Sequence, residues 1–110
     1  MLPDCAIDHA AYYQVPVELI EAVQQVESGA RGQRVGRVGP NADGTYDLGA
    51  MQINTWWLRD AGDKNLTNWG ITERELLHNE CTNYAVGTWL LDTNLRRYQG
   101  DVVAALSAYN

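Results

Sequence analysis

Val26-Glu27-Ser28-Gly29 closes an amphipathic stretch on a carboxylate that faces the wrong way. Advancing about 100° per residue from Ile20 puts Leu19, Val23 and Val26 on one side of a helix and brings Glu27 back to within about 20° of Ile20. Glu18 and Glu21 point roughly the opposite way, where solvated glutamates belong. A carboxylate on a core-facing stripe is costly if it stays ionised and unpaired, so it must be partnered, protonated or set in a cleft. The last arrangement is how a general acid is made. The ordinary alternative is that Glu27 falls in the last turn, where fraying lets it swing out to water. Spacing alone weighs the two evenly.

Working outward, Pro16 suits a first helical turn and Gly29 a stop, so this helix runs from about Pro16 to Ser28. Before it, Asp4 can cap a shorter helix through about Tyr13, with Cys5, Ala6, His9 and Tyr13 on one face. After it, from Gly29 to Gly49, six glycines and Pro40 erase any helical period. The Asp43-Gly44 pair there signals a hairpin and predicts a small two-stranded ribbon. A calcium-binding EF-hand loop does not fit, because aligning Gly44 with its glycine position puts Gly39 and Ala50 where carboxylates are needed.

Helices then resume. Asn54 or Thr55 opens a short one through Trp56, Trp57 and Leu58 to Gly62, and Thr72-Glu73-Arg74-Glu75 is a capping box that opens another. The longest runs from Thr82 to about Gln99, with Ala85, Val86, Trp89, Leu90 and Tyr98 available for a buried face. A last helical segment begins at Asp101 and carries Val102, Val103 and Leu106. The expected architecture is one mainly helical domain spanning residues 1–110, with a small β-hairpin insert after the helix that carries Glu27.

Composition narrows the function. The chain has 110 residues, 45% hydrophobic and 20% charged, which excludes disorder and suits a soluble globular protein. A net charge of -6 with scattered Lys and Arg gives no footprint for nucleic acid. No stretch reads as a membrane span. Met1-Leu2-Pro3-Asp4 leads straight into polar sequence without the apolar core of a signal peptide, which leaves a cytosolic protein or a mature form. Four Trp and six Tyr with no Phe favour aromatics that carry a polar handle, common in carbohydrate clefts and equally able to fill a core; most of the tryptophans are assigned to the core. Cys5 and Cys81 are either two unrelated buried thiols or a pair closing a long loop in an oxidising compartment, with no second cysteine pair for a zinc site.

Between loop and helix, Asp47-Leu48-Gly49-Ala50-Met51-Gln52-Ile53-Asn54 mixes a glycine that permits close approach, an adaptable Met and an amide that both donates and accepts. Those properties suit a sugar amide, and equally a plain loop-to-helix junction with a core Met and a capping Asn. Likewise Ala108-Tyr109-Asn110 is either helix surface or a phenol held against a buried acid.

Taken in order, Glu27-Ser28, Gly49-Ala50-Met51-Gln52, Asn83 and Ala108-Tyr109-Asn110 resemble the motifs of the family 1 lytic transglycosylases, the soluble lytic transglycosylase and goose-type-lysozyme-like group. Cys5, Tyr12-Tyr13-Gln14-Val15-Pro16, the Asn-Ala-Asp-Gly turn and Cys81-Thr82-Asn83 are similar to its small single-domain branch, which serves secretion, conjugation or pilus machines. The resemblance implies a lysozyme-like α+β fold and an exported protein of the periplasm or cell envelope. It also implies a Cys5–Cys81 disulfide. Glu27 would be the sole catalytic acid and then base, with Ser28 beside it. Gly49, Met51 and Gln52 would line the cleft, and Tyr109, flanked by Asn110, would hydrogen-bond the Glu27 carboxyl. Asn83 would tie helices together. The implied partners are peptidoglycan strands and components of an envelope machine, with no metal, cofactor or nucleic acid. Two departures stand out: Ala50 replaces a common Leu, and the family pattern continues beyond Asn110, so the chain reads as trimmed at its C-terminus. With Asp47 as the one neighbouring acid, a lysozyme-type hydrolase stays open, as does a peptidoglycan-binding assembly module.

Overall fold

The computed structural model describes residues 2–28 and 36–109. Among them are six α-helices: α1 Asp4–Tyr13, α2 Val17–Ser28, α3 Trp56–Arg59, α4 Glu73–His78, α5 Glu80–Arg97 and α6 Val102–Ala108. Three two-residue strands, β1 Arg37–Val38, β2 Asp47–Leu48 and β3 Ile53–Asn54, lie between α2 and α3. The fold is mainly α and lysozyme-like, with a small antiparallel sheet in the order β1-β2-β3. The Asp43-Gly44 turn joins β1 to β2, as its sequence predicts, with the Asn41 and Thr45 backbones bridged at 2.7 Å. The third strand is an addition to the expected ribbon. It pairs Leu48 with Ile53 and Asp47 with Asn54, so the Gly49–Gln52 segment is the turn between two strands.

Helix starts follow local chemistry. Thr72 accepts the Glu75 N–H, Asn79 the Thr82 N–H and Asp101 the Ala104 N–H, each satisfying a donor that the first turn leaves open. Asp4 departs from expectation: Pro3 occupies the cap and Asp4 is the first helical residue, where its charge still complements the helix dipole. The Gly29 stop lies outside the described residues.

Helix α5 is the spine, packing against α1, α4 and α6. Its buried set is wider than the predicted apolar face and includes Asn83, Tyr84, Gly87, Thr88 and Leu91, while Ala85 and Trp89 are half-buried. Cys5 of α1 and Cys81 of α5 form a disulfide, with a Cα separation of 5.7 Å. The tryptophans divide rather than gather in the core. Trp57 and Trp89 pack against it, whereas Trp56 and Trp69 are exposed, and the four meet edge to face in a continuous series. No helix of the described residues is long and apolar enough to cross a membrane.

Candidate active site

Glu27 is the penultimate residue of α2 and is half-buried. Ile20 and Val23, on the same side of the helix, are buried; Glu18 and Glu21 are exposed, as the wheel requires. Val26 departs from the expected stripe and is 75% exposed. It forms the outer wall of a notch of about 100 Å³ that Ala22, Val23, Leu106 and Tyr109 complete around Glu27. A wheel gives a direction but not what covers it, and here α6 covers only part of that face.

Tyr109 follows the last turn of α6 and is buried. Burial, with the Glu27 charge as second cause, holds its phenol well above the ordinary tyrosine range, so the group keeps its proton. That proton goes to the Met51 carbonyl oxygen at 2.9 Å. The phenol therefore faces the acid while anchored to the Gly49–Gln52 turn.

The turn is held from the other side by Asn83. Its Oδ1 accepts the Met51 N–H at 2.8 Å, and its Nδ2 donates to the Leu48 and Leu76 carbonyls, also at 2.8 Å. Met51 is thus gripped at both ends of its own residue, by α5 through Asn83 and by the end of α6 through Tyr109. Its side chain lies on Gly87, where an added Cβ would come within 2.8 Å of three Met51 atoms. Gly49 is constrained as tightly: it has φ +72°, and a Cβ there would overlap the Asn83 amide. Gln52, buried with φ 50°, donates from Nε2 to the Gly49 carbonyl at 2.9 Å, so its amide braces the turn's own backbone.

The remaining candidates fall as follows. Ser28 is fully buried, and its hydroxyl donates to the Gln24 carbonyl and accepts from the Gln24 amide, so its proton is committed within α2. Asp47 accepts from Asn41 Nδ2 at 3.3 Å and Asn54 Nδ2 at 2.9 Å, one bond to each carboxylate oxygen, which makes it the tie of the β2–β3 hairpin. Asn110 lies outside the described residues. Gly87 and Leu106 were missed as site residues. A glycine in mid-helix, about 1 kcal/mol worse than Ala, was the available signal for the first.

Substituting Asn83 by Ala is expected to remove three buried hydrogen bonds and leave the Met51 N–H and two carbonyls without their partner. At about 1–3 kcal/mol per abandoned group, relieved in part by water entry, the loss should reach about 3 kcal/mol in urea unfolding. A loss under about 0.5 kcal/mol, the level of a neutral surface change, would show that the turn holds without it.

The family model for the transglycosylase SLT domain matches residues 4–110. The chain belongs to the SLT transglycosylase family. It is 35% identical over 107 residues to the invasion protein IagB of Salmonella typhimurium, covering 97% of this chain and 61% of that protein. It is 31% identical over 107 residues to the protein IpgF of Shigella flexneri, covering 97% of this chain and 64% of that protein. The chain thus spans about three fifths of the length of these curated relatives. In this SLT chain the matched span takes in Glu27, the Gly49–Gln52 turn and Tyr109 together.

Proposed function

We propose that the chain is a peptidoglycan lytic transglycosylase domain that cleaves the β-1,4 bond between N-acetylmuramic acid and N-acetylglucosamine. On this reading it forms one catalytic unit and works in the cell envelope, opening the wall locally for a secretion, conjugation or pilus machine. The observation that carries the reading is a half-buried Glu27 in an apolar notch beside a buried, proton-bearing phenol. A carboxyl set in an apolar notch is the arrangement from which general acids are built. Asp47, the acid next to the turn in sequence, supports the reading from the other side, because both its oxygens are engaged by amides.

Glu27 gives its proton to the glycosidic oxygen, and the bond from that oxygen to C1 of the muramic residue breaks. The resulting oxocarbenium-like carbon is stabilised by the substrate's own acetamido group, the substrate-assisted exception to two-carboxylate hydrolysis. The Glu27 carboxylate then takes the proton of the 6-hydroxyl as that oxygen bonds to C1. Glu27 ends protonated, as it began, and no water is consumed. The 6-hydroxyl is tethered to the reacting carbon and acts at high effective concentration, so ring closure outruns water.

The expected products are muropeptides ending in 1,6-anhydro-N-acetylmuramic acid, lighter by one water, about 18 Da, than hydrolytic products. Mass spectrometry of digested sacculi reads this directly. Predominantly reducing ends would replace the proposal with a lysozyme-type hydrolase and make Asp47 the first residue to test as a base. Sacculi that are bound but not cut, by this span and by a longer chain alike, would leave a binding or assembly module.

A further inference from the structure

Trp69 stands 60% exposed at the end of the short 3-10 turn Leu66–Trp69, although a ring of its size gains most from burial. It walls a pocket of about 280 Å³ together with Tyr13 of α1 and Ala85 and Trp89 of α5, over a floor of Leu66 and Val86. Tyr13, Ala85 and Trp89 are half-buried, so a ligand can touch each of these walls. The two indoles stand at 67° with centroids 6.2 Å apart and form a corner rather than a stack. At about 100° per residue, Ala85 and Trp89 lie on the side of α5 opposite Asn83 and Gly87, which makes the pocket separate from the Gly49–Gln52 turn and from the Glu27 notch.

The lining decides what such a pocket can hold. No charged side chain contributes to it, so it suits a neutral ligand. Among the described residues, the Tyr13 hydroxyl and the Trp69 and Trp89 indole N–H groups take part in no hydrogen bond, and an indole can only donate. Burial, with the neighbouring Tyr12 and Asp92 charges as further causes, raises the Tyr13 phenol above the ordinary tyrosine range, so it too keeps a proton to give. Apolar surfaces rimmed by open donors complement a ring that is apolar on its face and carries acceptors at its edge. An apolar peptide would fill the space and leave those donors unanswered. At about 30 Å³ per water-sized group the pocket takes about nine, the scale of one sugar ring with a substituent. An acetamido substituent supplies both a methyl for the Leu66 and Val86 floor and a carbonyl for the donors.

We infer that this pocket is a second glycan-binding site, remote from the cleavage notch, which takes one neutral N-acetylhexosamine ring with its apolar face on Trp69. The inference goes beyond the cleavage proposed for Glu27 and rests on it only for the source of the sugar, a glycan strand of the wall. A second grip on a polymer slows its departure and raises the local concentration of strands at the notch.

The test is a binding measurement that needs no turnover. Amide and indole signals of the 110-residue chain are followed by NMR during titration to millimolar concentration with tri-N-acetylchitotriose, and with maltotriose, which is neutral and of equal length but has no acetamido group. Shifts are expected at Tyr13, Ala85 and the indole N–H signals of Trp69 and Trp89, with maltotriose about fivefold weaker, the scale of one lost hydrogen bond. Trp69→Ala should weaken tri-N-acetylchitotriose at these signals about tenfold. Trp69→Phe, which keeps a flat ring, should recover most of that loss, whereas Trp69→Leu, apolar but not flat, should behave as Trp69→Ala does. Shifts at Val26 and Leu106 report the notch and should be the same in every variant. No shift at the two indoles, equal affinity for maltotriose, or binding that survives Trp69→Ala or Trp69→Leu in full would overturn the inference. Should a variant fail to fold, the comparison of the two sugars on the unaltered chain still decides. A chain that binds at Trp69 and cuts no glycan would sink the transglycosylase reading alone, and one that cuts sacculi without binding at Trp69 would sink this site alone.

Discussion

Glu27→Gln is expected to abolish cleavage of peptidoglycan, by about 10²–10⁴-fold in kcat, the range that a positioned general acid supplies. The amide keeps the shape of the carboxyl, so the notch formed with Ala22, Val23, Leu106 and Tyr109 should survive, and only the transferable proton is lost. The Tyr109 to Met51 hydrogen bond does not involve Glu27 and should persist. Binding to purified sacculi should therefore change little while product release stops. Measuring both on one preparation separates loss of chemistry from loss of fold. A variant that retains a tenth or more of the activity would show that another group supplies the proton.

Opening the disulfide is expected to have the largest effect on stability. Cys5 and Cys81 are 76 positions apart, so the link removes a long loop's worth of freedom from the unfolded chain. The chain-entropy relation gives about 4.5 kcal/mol for a loop of this size, and removal of native disulfides commonly costs about 2–5 kcal/mol. Cys5→Ser combined with Cys81→Ser should lower the unfolding free energy within that range and raise the urea m-value, because the unlinked denatured chain exposes more surface. Equal midpoints with and without the link would mean that α1 docks on α5 unaided. A protein that depends on this bond matures in an oxidising compartment, which agrees with the envelope location proposed for it.

The helices were legible because their signals are local. Thr72 and Asp101 cap through their own side chains within three residues, and Pro16 punctuates visibly; the Asn79 cap went unread, so α5 begins at Glu80, two residues before the expected Thr82. The Asp43-Gly44 turn was legible for the same reason. β3 was not, since two residues carry no period and its pairing is set by Asp47 and Asn54 across the turn. The site divides the same way. Glu27 could be oriented from its own helix, and the family motifs point to Tyr109. The acceptor for the Tyr109 proton is a backbone carbonyl 58 residues away, and a carbonyl leaves no mark in a sequence. Asn83 gave no local sign of its three bonds, because its partners lie in β2, the turn that follows it and α4. Val26 was misplaced because helical spacing cannot say how far a neighbouring helix reaches.

The seating of Met51 on Gly87 bears on how such a chain can change over generations. Position 87 is closed to drift whatever residue other than glycine stands at 51, because the Met51 Cβ alone lies 2.8 Å from where a Cβ at 87 would be. A Gly87→Ala step would push residue 51 off the helix, and with it the peptide that Asn83 and Tyr109 grip. A shortened residue 51 beside an unchanged Gly87 leaves a void, a milder defect that a lineage can carry. Related chains should therefore vary in size at 51 while keeping glycine at 87.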